Sequence, residues 1–419
     1  MSAVNHDFVF AQEQYQEHGV VVDEVLESLE KIAISIHAWQ GDDVVGFENT
    51  SHVLTGGCQV TGNYPGRARN ADELRKDLDQ ALKLIPGRHR VNLQGHQVDK
   101  MLPGVDRDAF TIDNFAGWLA WSKEQQVPLD IAPAFYSHPK LDNGYSLAHQ
   151  DKGIREFWIN HGKAIRKIAQ AFGKQQKSAS IVNFWAPDGS KDLVADRWAP
   201  RQRLIDALDC IFAENIPSQQ VADAVEGKLF GIGTESYTVG SHDLYIAYAT
   251  SRKKLLCIDS GHFHPTESVA DKISSLMGFL PKLLLHVSRG VRWDSDHVIL
   301  LNEDLLQIAQ ECVRYDYLSR IHIALDYFDA SINRVAAWVI GSRNMQKALL
   351  ISMLEPRRDL LASEKKFNFT RRMAVQEANK TLPWAAVWHQ FCSRHDMPLD
   401  HQVIKTLETY DRNVLQKRG

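Results

Sequence analysis

Short apolar runs recur along this chain, and most are followed by stretches in which apolar residues return every three or four positions. The short runs read as buried strands and the longer stretches as amphipathic helices. Strands are predicted at 33–39, 90–93, 129–135, 180–185, 225–230, 255–259, 283–287 and 321–327. Helices are predicted at 23–32, from Asn70 onward, and at 115–126, 154–172, 200–214, 267–280 and 303–318. Asn70 followed by Glu73 has the spacing of a capping box, with Leu74, Leu78, Leu82 and Ile85 on the apolar side. Eight strands separated by helices predict an α/β fold, a parallel (β/α)8 TIM barrel, because each right-handed crossover sets the next strand beside the last. A doubly wound sheet would alternate in the same way, but no Gly-x-Gly-x-x-Gly follows the first strand.

Two stretches depart from the alternation. Residues 40–69 carry no clear period and form a long loop between the first strand and its helix, a length usually kept for function. After Ser342 the chain reads as helices broken by Pro356, Pro383 and Pro398. The predicted organisation is a catalytic barrel over 1–341 and a C-terminal helical extension over 342–419 that serves subunit contacts.

Composition narrows the class. With 44% hydrophobic and 24% charged residues, the 419-residue chain is an ordinary globular protein. A net charge of −4 without a basic stripe argues against a nucleic-acid partner. No apolar run approaches ~18 residues, so no membrane span is expected. Residues 1–14 are polar and hold no apolar signal core, and the five cysteines are scattered, odd in number and without Cys-x-x-Cys spacing. A reducing cytoplasm is the expected compartment, with Cys257 plain core.

The chemistry lies at the strand tips, where active sites of such barrels are built. Strand 255–259 ends in Asp259, with His262 three residues on. Glu226 and Lys228 stand two apart in the predicted fifth strand, His286 lies in the seventh, Asp294 and Asp296 follow it, and Asp326 lies in the eighth. Each has a bland reading: a Glu226–Lys228 pair, a core histidine at 286, helix caps at 294 and 296. His264 and His297 are read as structural. The bland readings would have to hold independently on four consecutive strands, and unpaired buried carboxylates are costly. Five carboxylates with two histidines match two divalent cations, with Asp259 placed to bridge them. Trp39, Phe135, Tyr136 and Trp185 are core aromatics by default and pocket walls by their position near the tips.

The segments at 35–48 (SIHAWQGDDVVGFE), 230–241 (FGIGTESYTVGS), 259–267 (DSGHFHPTE), 291–298 (VRWDSDHV) and 325–334 (LDYFDASINR) resemble bacterial L-rhamnose isomerases over essentially the full length. That resemblance implies a xylose-isomerase-like barrel, a homotetramer, and conversion of the sugar L-rhamnose to L-rhamnulose. It implies a structural metal (Zn2+ or Mn2+) on Glu226, Asp259, His286 and Asp326. It implies a catalytic metal, usually Mn2+, on His262, Asp294, Asp296 and the shared Asp259. Lys228 matches the lysine beside the reacting end of the substrate, and Asp326 joins it as a catalytic candidate. The chain departs from the family at 92–96, Asn-Leu-Gln-Gly-His in place of Asn-Leu-His, which shifts a sugar-hydroxyl contact to Gln94 or His96. The chemistry fits: O1 and O2 of the open-chain sugar are metal ligands, and hydrogen passes from C2 to C1 as hydride or through an enediol with a protein base. The rivals are a metal-dependent phosphodiesterase, which needs a positive groove, and a non-catalytic sugar-binding barrel, which leaves Lys228 idle.

Overall fold

The computed structural model describes residues 3–48, 59–291 and 294–418, with backbone alone for residues 3–5, 61 and 294–296. Eight parallel strands close into a barrel in chain order: β1 (Ala33–His37), β2 (Arg88–Gln94), β3 (Leu129–Ala132), β4 (Ser180–Phe184), β5 (Val221–Glu226), β6 (Leu255–Asp259), β7 (Leu283–Val287) and β8 (Ile321–Leu325). β8 returns to β1 with Ile34 opposite Ile323 and Ser35 opposite Ala324.

Side chains alternate across a strand, and this sorts the apolar residues into two cores. Ile181, Ala224, Leu255, Cys257, Leu284 and Ala324 form a separate buried cluster inside the barrel. Ile34, Val91, Ile131, Val182, Val225, Ile258, Leu285 and Ile323 instead join the large core shared with the helices. The interior set matters for function. Two residues beyond Ile181, Ala224, Cys257, Leu284 and Ala324 come Asn183, Glu226, Asp259, His286 and Asp326. One period of the pleat therefore turns an apolar plug into a polar floor at the carboxyl ends.

The predicted strands are present, with two displacements. β5 lies at Val221–Glu226, not 225–230. Glu226 is thus its last residue, and Lys228 stands in the loop beyond, its N–H donating to the Gly240 carbonyl at 3.1 Å. Asp326 likewise sits one residue past β8. The helix His242–Arg252 was not legible as a helix, although it buries Tyr245, Tyr248 and Ala249 along one face. Aromatic residues form helices weakly, and it is the packing that holds them there. Helices Ala3–Glu17 and Asp400–Asn413 also lie outside the predicted set. At Asn70 half of the capping box forms. The Asn70 side chain accepts from the Glu73 N–H at 2.9 Å, but the Glu73 carboxylate turns to the N–H and guanidinium of Arg69.

Position 342, where the pattern changes, falls inside one continuous helix, Arg334–Met353. It packs on helices Val22–Leu29, Ala71–Leu82 and Glu303–Arg314 and on β1, so it completes the ring of helices around the barrel. Of the long loop 40–69, residues 49–58 lie outside the described residues. The remainder is tied down: Thr61–Gly62 pairs with Asp329–Ala330 just after β8.

Candidate metal centre and pocket

Strands β5 to β8 bring four potential ligands together. One ligand atom each from Glu226, Asp259, His286 and Asp326 lies within 4.8 Å of the other three. His286 Nδ1 is 3.0 Å from Asp326 Oδ2 and 3.3 Å from Glu226 Oε2. His262 joins from the loop after β6, its Nδ1 2.9 Å from Glu226 Oε1. Asp259 Oδ2 stands 3.9 Å from both His262 Nε2 and His286 Nδ1. Its other oxygen accepts from the Gly261 N–H at 2.7 Å and from the Ser288 hydroxyl at 3.4 Å.

Other groups orient these ligands. The Trp39 indole N–H donates to Asp326 Oδ1 at 2.9 Å. The Asn183 amide donates to Glu226 Oε2. Such contacts fix a carboxylate's orientation before any cation arrives. His37 packs edge-on against Trp39 and accepts from the Tyr327 N–H at 3.3 Å.

The acids and histidines are electrically frustrated. Glu226, Asp259 and His286 are buried, with side chains 2%, 3% and 2% exposed, and Asp326 is 17% exposed. Burial raises an acid's pKa, and Asp259, facing Asp326 and Glu226, is pushed well above the carboxylate range. Burial acts on Glu226 and Asp326 as well. The His286 imidazole, with His262 beside Glu226, nevertheless holds both below their ordinary values. Burial opposes a charged His286, yet Glu226 and Asp326 raise it. Three carboxylates facing one another in a buried site want more positive charge than these imidazoles bring. A divalent cation would supply it, and oxygen ligands with one or two imidazoles suit hard or borderline ions. The Cys257 thiol is also within ligating reach of Glu226 and His286. Burial and the nearby carboxylates push its pKa well up, so it stays a neutral core group.

A cavity opens above this floor, lined by Trp39, Val44, Gln94, Tyr136, Trp185 and Phe328 around the acids and histidines. Trp185 stacks on the His262 ring at 6.0 Å between centroids, and Lys228 Nζ lies 5.4 Å over Trp185. Gln94 reaches the cavity. His96 stands behind its wall: its Nε2 donates to the Val44 carbonyl at 2.9 Å and its ring packs against Tyr136. Asp294 and Asp296 lie in the short strand Asp294–His297, paired with Arg289–Val291, and their side chains are outside the described residues. Asn183 is the ligand-holding residue that sequence reasoning passed over. Its signal is a polar residue near the tip of an apolar strand, the same kind of position as Glu226, Asp259, His286 and Asp326. Val44 and Phe328 gave no signal, because nothing local marks a loop residue that folds over a barrel.

Among the described residues, the buried Oε1 of Gln94, Oδ1 of Asn183 and Nε1 of Trp185 find no protein partner. All three residues line the cavity, as befits a pocket that receives a hydroxyl-rich molecule.

Comparison with known proteins shows what the chain is similar to. A family model described as L-rhamnose isomerase (RhaA) matches residues 2–418. The chain is 54% identical to an L-rhamnose isomerase of Rhodopirellula baltica over 413 residues, 98% of this chain and 96% of that one. It is 52% identical to an L-rhamnose isomerase of Escherichia coli O127:H6 over 409 residues, 98% of this chain and 97% of that one. Among solved structures, a D-allulose 3-epimerase from a Methylomonas species is similar over 76% of this chain and 96% of its own, at 13% identity and a TM-score of 0.46. With a matching family model and half-identical relatives along nearly its whole length, the chain belongs to the L-rhamnose isomerase family.

Proposed function

We propose that this protein converts the aldose L-rhamnose to the ketose L-rhamnulose, the first step of rhamnose degradation. The observation that carries the reading is the convergence of Glu226, Asp259, His286 and Asp326, with His262 beside them, on the floor of a cavity that also presents Lys228. Glu226, Asp259, His286 and Asp326 would hold a structural divalent cation such as Zn2+ or Mn2+. His262, Asp294, Asp296 and the shared Asp259 would hold the catalytic one, Mn2+. When bound, the cations supply Lewis acidity for a sugar's neighbouring carbonyl and hydroxyl.

The protein's own groups do the rest. Lys228 Nζ stabilises negative charge developing on O1, where a fixed cation is worth more than in water. Trp185 carries both Lys228 and His262 against its faces and so fixes their spacing. Gln94 Oε1 accepts from a sugar hydroxyl. Trp39 and Asn183 keep Asp326 and Glu226 turned inward. In the favoured route the C2 hydrogen moves to C1 within the substrate as hydride and the O2 hydroxyl proton passes to O1, so the atoms balance and no protein base is required at C2. The alternative, a metal-dependent phosphodiesterase, would need a positive groove, which a net charge of −4 does not suggest.

The wider reading is a homotetramer acting in the cytoplasm, with subunit contacts on the part of the helical extension that lies beyond the helix Arg334–Met353. Among the described residues, no helix is long and apolar enough to cross a membrane. Phe367, Phe369 and Met373 are 80%, 51% and 63% exposed on the extension, apolar surface of the kind that subunits cover. A monomeric mass in sedimentation at micromolar concentration would overturn the tetramer. Ketose formation from L-rhamnose, abolished by chelator and restored by Mn2+, tests the reaction.

A further inference from the structure

We infer that the C-terminal segment 400–418 is a strap that sets the shape of the sugar pocket from outside the barrel, acting through a buried Arg334–Asp43 pair. The inference rests on the proposed reaction only for its activity readout.

The chain of contacts starts in the pocket. Val44 lines the cavity, is 1% exposed, and has φ 61°; its neighbour Asp43 has φ 57°. Two successive left-handed residues, one of them β-branched, are strained and persist only where the surroundings hold them. The surroundings are on view. His96 donates to the Val44 carbonyl from one side. From the other, Arg334 grips Asp43 with two hydrogen bonds, 2.6 Å from Nε and 2.8 Å between an amino nitrogen and Oδ2. Arg334 is 3% exposed, and its remaining amino group donates to the carbonyls of Tyr64 and Pro65. One guanidinium thus ties the pocket turn to residues 64–65.

The C-terminal segment in turn holds residues 64–66. The Tyr64 hydroxyl donates to Asp411 at 3.1 Å, and Asp411 also accepts from the Asn333 amide beside Arg334. Arg418 donates to both carboxylate oxygens of Asp77 and to the Gly66 carbonyl. Tyr410 donates to the same Asp77 at 2.6 Å. Gly66 has φ +90°, and a Cβ there would come within 2.5 Å of Leu415, so loop and strap are in backbone-close contact. None of Arg334, Asp411 or Arg418 lines the cavity. They are positioning residues, and the segment's work is to keep Tyr64 and Pro65 where Arg334 needs them.

The test uses the full-length Mn2+-loaded enzyme and Arg418→Ala, with Arg418→Lys as the conservative partner. In Arg418→Ala, KM for L-rhamnose should rise about fivefold or more while kcat stays within about twofold, because only binding geometry has been loosened. Arg418→Lys, still charged toward Asp77, should recover part of the loss. Hydrogen exchange should quicken in the peptide spanning 40–48 as well as in 60–69. If exchange quickens only in 60–69, or if the melting temperature falls with KM unchanged, the strap ends at the loop and the inference is overturned. Should Arg418→Ala fail to fold, Tyr64→Phe removes only the hydrogen bond from the Tyr64 hydroxyl to Asp411 and faces the same criteria. A parent enzyme that makes no ketose would sink the proposed reaction instead, and the exchange measurement would still decide the strap.

Discussion

The Trp39 indole N–H donates to Asp326 Oδ1 at 2.9 Å, so one side chain both walls the cavity and aims a candidate metal ligand. Removing the donor while keeping an aromatic wall separates these roles. Trp39→Phe should weaken the apparent affinity for the activating cation by about 10–100-fold, the usual cost of losing a ligand's supporting hydrogen bond. Metal titration of activity and calorimetric binding check it. An unchanged affinity would mean that the indole only fills space.

The two proposed metal sets should fail differently. Glu226, His286 and Asp326 form the enclosed set, and Asp294 and Asp296 follow on a hairpin strand beyond β7. Loss of an enclosed ligand leaves buried charges short of their counter-ion. Asp326→Asn should therefore lose activity and melt clearly lower. Asp296→Asn should abolish turnover yet melt near the parent and retain about one metal per subunit, since water fills an open ligand position. Metal analysis and calorimetry decide between them. A less stable Asp296→Asn, or one that loses both ions, would erase the division into structural and catalytic halves.

Buried histidines predict an acid-side loss of stability that begins before ordinary carboxylates titrate. His161 Nε2 accepts from the Ala134 N–H at 3.0 Å while Nδ1 faces the Arg107 carbonyl, an arrangement that only the neutral ring can make. Burial, aided by Arg107, lowers His161 to about 3 and His96 to about 4, and burial lowers His89 to about 4. A folded pKa below the unfolded one contributes stability that is full above about 6.5 and is lost as pH falls toward the folded value. Asp42 and Asp188, raised by burial to about 7 and about 6, act in the opposite direction. Asp77, Asp108 and Asp259 are raised by burial as well. Burial also lowers His37 to about 3, His322 to about 4, and His138 and His242. The depressed histidines outnumber the raised acids, so the melting temperature should fall as pH drops from 6.5 to 5. His161→Gln should flatten that slope. A melting temperature constant across this window would refute the assignment.

The pocket wall should discriminate modestly. Burying one methyl is worth on the order of 1 kcal/mol, about fivefold in binding. Trp185 and Tyr136, whose rings lie 5.7 Å apart in the wall, are the proposed surface for the 6-methyl group of L-rhamnose. Replacing both with Ala should lower the ratio of kcat/KM on L-rhamnose to that on L-lyxose by roughly that factor. An unchanged ratio would move the methyl's contact elsewhere.

The strands and the acids at their tips were legible because both depend on local alternation. An apolar run with a carboxylate at its end states its own burial, and the two-residue pleat sets Glu226, Asp259, His286 and Asp326 on the inner face. The eightfold count then implies closure. What the pattern could not carry was where β5 ends, since Val225–Phe230 is as strand-like in composition as Val221–Glu226; pairing with β4 and β6 decided it and left Lys228 in a loop. Nor could it carry the pocket's outer wall. Val44 reaches the cavity in a conformation that its own sequence disfavours, and its neighbour Asp43 is held by Arg334, 291 residues further along the chain. Such a contact costs local energy and is repaid only after the chain has folded back on itself. It belongs to the tertiary structure alone, as does the packing of the C-terminal segment against Tyr64 and Gly66.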